Sequence, residues 1–177
     1  KAVHGGCVAA PRHAGLYAQQ DTMGIPVSAS LSQADAKLKP MWVINQNNSW
    51  HGLDVVQPNG VPDLMEGKRE CDRVLSAVDD SVGITLQYLR DHNLEKNTLI
   101  VFCSDNGSMW GAHGLTDKRN AYEESVRVPM IAYAPGYLPA GVVSNARVRN
   151  LDLAPTFLEI AGVKAPANFE GRSVLPL

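Results

Sequence analysis

The stretch that most constrains this 177-residue chain is Leu99-Ile100-Val101-Phe102-Cys103, followed by Ser104-Asp105-Asn106-Gly107. A short, unbroken apolar run rich in β-branched residues predicts a strand buried on both faces. A carboxylate and an amide stand where that strand ends. In open α/β sheets, ligands bind beyond the carboxyl ends of parallel strands. His113 and Lys118 follow on the same loop. An anionic ligand, an amide oxygen, an imidazole and an ammonium on one loop predict chemistry rather than ordinary surface.

The rest of the chain supplies the frame. Residues 1–62 carry no sustained periodicity, and Pro26, Pro40, Pro58 and Pro62 interrupt them. So long an irregular segment is uncommon in a compact domain unless it serves a site. It is expected to cover one, with Asn45 to Gly60 as an exposed excursion. From Asp63 to about His92 the pattern is helical, with Val74, Val78, Val82, Leu86 and Leu89 at spacings of three and four. Asp63 is the expected N-cap and Glu66 its reciprocal partner. Asn120 to Ser125 predicts a short helical turn, Val128 to Ala134 a second strand, and Val142 to Val148 an edge strand or hairpin arm. LAPTFLEIAG predicts a last helix, with Asp152 as N-cap and Gly162 at the C-terminal cap. The order helix, strand, strand, helix predicts an α/β fold, a mostly parallel sheet between helices. The expected division is a covering segment, 1–62, and an α/β part, 63–177.

Composition narrows the function classes. The net charge is −2, giving no electrostatic reason to expect a nucleic-acid partner. No apolar run in this segment is long enough to span a membrane. Cys7, Cys71 and Cys103 lack metal-site spacing. Cys71 and Cys103 are expected as buried small apolar residues rather than ligands or a disulfide.

A family resemblance then becomes visible. SDNG, GAHGL, DKRNAYEESVRVP, LDLAPTFLEIAGV and FEGRSVLPL resemble the sulfatase family in order and spacing, across nearly all of residues 63–177. The resemblance is to arylsulfatase-like bacterial enzymes and to heparan or glucosamine sulfatases. APRHAGLYAQQ and DAKLKPMW resemble the segment that follows the family's catalytic histidine. Counting back from His13 places that histidine at His4, with Val3, Gly6 and Ala9 where the family pattern has prolines.

The resemblance implies an alkaline-phosphatase-like α/β fold and the cleavage of sulfate esters, aryl or carbohydrate. It also implies a calcium ion and a formylglycine made in a CxPSR-type motif. Asp105 and Asn106 match two calcium ligands. Lys118 matches the lysine on the sulfate and leaving oxygen, and His4 the histidine that assists there. The chemistry agrees. Calcium takes carboxylate and amide oxygens. A fixed ammonium stabilises charge developing on the leaving oxygen. An imidazole can transfer the proton. Relatives are usually periplasmic, secreted or lysosomal.

Blander readings stand beside these. Asp-Asn-Gly alone is a common turn, and Lys118 alone is a solvated lysine; the surrounding motif string favours the functional roles. His113 either lines the substrate pocket or hydrogen-bonds within its loop. Arg12 and His13 read as structural, His51 and His92 as surface residues, and Glu123 with Arg127 as an ion pair or cap. Asp79 and Asp80 read as a solvated helix face with one further contact. No CxPSR or SxPSR motif is present, nor the Asp-Asp pair that completes the family's calcium site. The segment is therefore expected to be the C-terminal half of a sulfatase catalytic domain, incomplete and inactive alone. Two alternatives remain: a phosphodiesterase or phosphonate hydrolase of the same superfamily, and a non-catalytic domain that binds sulfated glycans.

Overall fold

The structure is a computed structural model and describes residues 3, 4, 6–20, 38–52 and 61–175. Much of the predicted 45–60 excursion, and Pro26 and Pro58, lie outside these residues. The chain forms two compact units, residues 1–134 and 135–177.

The first unit is organised by a long helix, Val61–Asp91 (α2), preceded by a short one, Met41–Asn47 (α1). The predicted stripe is half-buried at Val74, Val78, Val82, Leu86 and Leu89. The helix starts two residues before the predicted cap, so Asp63 lies inside it. Glu66 finds its partners further along the helix. It accepts from Arg69 and Arg73 at 3.0 Å each, and the Arg69 hydrogen bond, then that of Arg73, hold its carboxyl below the usual range. Asn93 ends the helix by taking a left-handed φ of 58°, while the Leu94 amide donates to the Leu89 carbonyl at 2.8 Å. A 3-10 turn, Glu95–Asn97, leads into the strand.

Residues 6–20 lie along α2. Arg12 and His13 meet Asp80 at 2.7 and 3.2 Å, Tyr17 meets Ser76 at 3.1 Å, and Arg73 donates to the Leu16 carbonyl at 2.9 Å. Asp80 is the partner of both Arg12 and His13.

The strand prediction is half right. Ile100–Cys103 (β1) pairs with Met130–Tyr133 (β2), with Ile100 opposite Tyr133 and Cys103 opposite Met130. The pairing is antiparallel, not parallel, and β1 is half-buried along its length rather than buried on both faces. Among the described residues no third strand flanks the pair, so part of each apolar side chain meets solvent. Cys71 and Cys103 are likewise half-buried rather than core residues. The start of β1 is braced by Glu95, which accepts from Tyr133 of β2 at 2.7 Å and from Arg90 of α2 at 2.8 Å.

The second unit is a short helix, Leu153–Ile160, with a 3-10 turn, Asn150–Asp152, before it. No strand forms over 142–148, whose side chains are mostly exposed. Gly162 closes the helix at φ 69°, as predicted, with the Val163 amide on the Leu158 carbonyl at 2.8 Å. Asp152 makes no side-chain cap for this helix. Its buried carboxylate accepts the Arg172 amide at 3.0 Å and the Arg149 amide at 2.8 Å, and these two donors, in that order, hold its pKa down. Asp152 thus ties the FEGRS stretch to the helix start. Gly171 permits that approach, since a Cβ there would sit 2.0 Å from the Leu151 carbonyl oxygen.

Candidate active site

The loop after β1 is fixed mainly through its own backbone. Asp105 Oδ1 accepts the Asn106 amide at 2.9 Å, and Ser104 Oγ donates to the Asn106 carbonyl at 2.7 Å. The Asn106 side-chain amide donates to the Gly107 carbonyl at 2.8 Å. That bond orients the amide plane.

Gly107 is the tightest point. Its amide donates to the Ser125 carbonyl at 2.9 Å, and a Cβ would lie 2.0 Å from the Glu124 carbonyl oxygen. This contact brings the short helix Glu123–Val126 (α3) against the Asp105 turn. A Gly107→Ala substitution is expected to cost about 3 kcal/mol, the upper end of the usual range for overpacking, because the obstacle is backbone that cannot rotate away. Thermal unfolding checks this; an unchanged midpoint would contradict the close approach.

From Met109 to Leu115 the chain makes a compact turn around its own small core. Met109 and Leu115 are both 0% exposed, with Ala112 and Tyr122 against them. Burying each of the two large side chains stabilises the turn by about 2–3 kcal/mol. Trp110 packs on Leu64 of α2. Gly111 and Gly114 take φ of 87° and 72°, and Trp110 and His113 also lie in the left-handed region at 44° and 55°. For a non-glycine residue that backbone costs about 1–2 kcal/mol. Such strain concentrates where a side chain's position matters. His113 stacks on Tyr122 with ring centroids 3.9 Å apart, and its Nε2 lies 3.6 Å from Glu124 Oε2. It is held between an aromatic face and a carboxylate beside the loop.

Lys118 sits on the segment that returns from this turn. Its carbonyl accepts from Ser125 Oγ, and the Asp117 carbonyl before it accepts the Met109 amide at 3.0 Å. The backbone on either side is therefore fixed. The lysine is half-buried, and no carboxylate among the described residues pairs with its ammonium.

Asp117 carries a support that sequence reasoning missed. Its carboxylate lies 2.8 Å from His51 Nδ1 and 2.9 Å from Arg119. Arg119 in turn stands over the Trp50 ring at 4.8 Å. The Thr116 amide donates to the His51 carbonyl at 2.9 Å, and Gly52 bridges Leu115. His51, expected at the surface, is only 15% exposed in its side chain. His51 and Gly52 thus brace the Lys118 segment, while Asn45, Asn48 and Trp50 of the predicted excursion are exposed. Glu123 and Arg127 do pair, loosely, at 3.8 Å with both side chains exposed.

His4 is exposed. Among the described residues no hydrogen bond or ion pair joins its side chain to the Asp105–Lys118 loop. Its carbonyl accepts from the Cys7 thiol at 3.1 Å.

Asp105 and Asn106 offer one carboxylate and one amide, the oxygen donors a hard cation takes. They fit part of a calcium site. No group of three or more His, Cys, Asp or Glu that could hold a metal occurs among the described residues.

Comparison with known proteins shows what the chain resembles. A family model described as N-sulphoglucosamine sulphohydrolase, C-terminal, matches residues 111–177. An N-acetylglucosamine-6-O-sulfatase of Bacteroides thetaiotaomicron is 45% identical over 101 residues, covering 57% of this chain and 18% of the relative. A solved structure in complex with its substrate D-glucosamine-2-N,6-O-disulfate superposes with a TM-score of 0.62 at 34% identity, over 80% of this chain and 28% of that one. A phosphonate monoester hydrolase from Silicibacter pomeroyi superposes with a TM-score of 0.55 at 31% identity, over 63% of this chain and 22% of that one. The chain thus spans about a fifth of the length of the curated relative.

Proposed function

The chain belongs to the sulfatase family, and from that premise we propose that it forms part of a sulfuric ester hydrolase acting on sulfated amino sugars. The observation that carries the proposal is Lys118. It is a half-buried lysine with no carboxylate partner among the described residues, on the same loop as Asp105 and Asn106. The site is built to receive a small anion.

In this reading Asp105 and Asn106 hold a calcium ion. When bound, calcium supplies positive charge beside the sulfate group. Asp105 contributes a negative charge. Asn106 contributes a neutral oxygen and so avoids adding charge that would repel an anionic substrate. Lys118 holds the sulfate and stabilises the charge that grows on the ester oxygen as the S–O bond breaks. His4 delivers a proton to that oxygen. His113, braced on Tyr122, lines the sugar side of the pocket. The nucleophile, a formylglycine, belongs to another part of the full-length protein, and the isolated 177-residue segment is inactive. Turnover of a sulfate ester by the segment alone would contradict that last point.

The substrate class rests on two similarities, to a protein named for N-acetylglucosamine-6-O-sulfate and to one solved with a disulfated glucosamine. The test is sulfate release from N-acetylglucosamine-6-sulfate by the full-length protein. The expected result is release that a chelator abolishes and calcium restores. A phosphonate hydrolase is the second reading, favoured by the Silicibacter similarity.

A further inference from the structure

We propose that Cys7 and Cys71 are a cross-linking site, a disulfide that fastens the segment just after His4 onto helix α2. The two sulfur atoms lie 2.6 Å apart although 64 residues separate them in the chain. Neither cysteine is fully buried, so a small oxidant can reach the pair.

The approach belongs to a docked register. Beyond Cys7, the segment is held to the same helix at Arg69, Arg73, Ser76 and Asp80. Arg69 donates twice to the Gln20 carbonyl, at 3.2 and 2.9 Å, and the contacts of Leu16, Tyr17, Arg12 and His13 complete the strip. Those helix positions recur at spacings of four, three and four, which is one face of a helix. With so many contacts fixing the segment, the cysteines meet without a new conformational search. On the other side, Cys7 donates to the His4 carbonyl at 3.1 Å. Closing the bond gives up this donation, because a disulfide sulfur carries no hydrogen.

The oxidant is a small-molecule disulfide, such as oxidised glutathione. The Cys7 thiolate attacks one of its sulfur atoms. A mixed disulfide forms and one thiol leaves, taking a proton. Cys71 then loses its proton and attacks the Cys7 sulfur, forming the Cys7–Cys71 bond and releasing the second thiol. Two cysteine thiols are oxidised and one small disulfide is reduced to two thiols. Burial, and then the neighbouring Cys7, push the Cys71 thiol pKa up. A raised pKa keeps Cys71 as the unreactive thiol at the outset. Capping Cys7 as the mixed disulfide removes its share of that effect.

The test is peptide mapping of the full-length protein after exposure to oxidised glutathione, with free thiols alkylated before digestion. The expected product joins the Cys7 and Cys71 peptides, lighter by two hydrogens, and separates with dithiothreitol. Cys103 is alkylated. In the Cys71→Ser variant, Cys7 keeps a glutathione adduct that wild type loses. Alkylation of both Cys7 and Cys71 in the folded, oxidant-treated protein would overturn the proposal, as would stable glutathione adducts on both.

Discussion

Replacing Lys118 with Ala in the full-length protein is expected to lower kcat by about 100- to 1,000-fold, the effect typical of removing one donor that meets developing charge. The folded state should hardly change. The Lys118 backbone is held by Ser125 Oγ and by the Asp117–Met109 hydrogen bond, neither of which uses the side chain. The ammonium gives up no ion pair among the described residues when it is removed. Steady-state kinetics and a melting curve on the same preparation separate the two roles. A large fall in melting temperature with little loss of kcat would make Lys118 structural and support the non-catalytic reading.

Asp105→Asn is the second substitution with a large expected effect. Asparagine keeps the shape and can still accept the Asn106 amide, now at 2.9 Å from Asp105 Oδ1, but it removes the charge. Calcium affinity should fall at least about 100-fold, the upper end of what losing even an outer-shell partner costs a metal site. Asp105→Ala removes the turn bond as well and should add a loss of stability. Calcium titration calorimetry on the full-length protein checks both. Undiminished binding by Asp105→Asn would assign the metal to other residues.

What the sequence could reveal here follows from the range of each interaction. The Asp105 turn, the Gly162 cap and the α2 stripe are local, so turn chemistry and periodicity expose them. The short apolar run at 99–103 identified a strand, but an apolar run carries no mark of its partner's direction, and β1 pairs antiparallel. The brace of His51 on Asp117 and the meeting of Cys7 with Cys71 join residues more than 60 positions apart. No periodicity or spacing records such contacts. Asp152 stands at the predicted N-cap position, but its side chain is engaged elsewhere for a related reason. A carboxylate at a helix start has the form of a cap, yet it accepts the Arg172 amide 20 residues on. His51 might have been suspected from its place beside Trp50 and Gly52, a turn with two aromatic rings whose centroids lie 3.7 Å apart.

Gly107 connects local sequence to the site. A glycine after Asp-Asn is ordinary turn chemistry, but here the missing Cβ also lets α3 close on the turn. That closure places Ser125 where it can fix Lys118. One residue thereby couples the proposed calcium ligands to the proposed sulfate receptor.

The most direct test of the central claim is a kcat/KM comparison on the full-length protein. The two substrates are a sulfate monoester and a phosphonate monoester with the same leaving group. The account predicts a preference for the sulfate ester that disappears for both substrates when calcium is chelated. A preference for the phosphonate ester would contradict it and make the loop of Asp105, Asn106 and Lys118 the site of a phosphonate hydrolase.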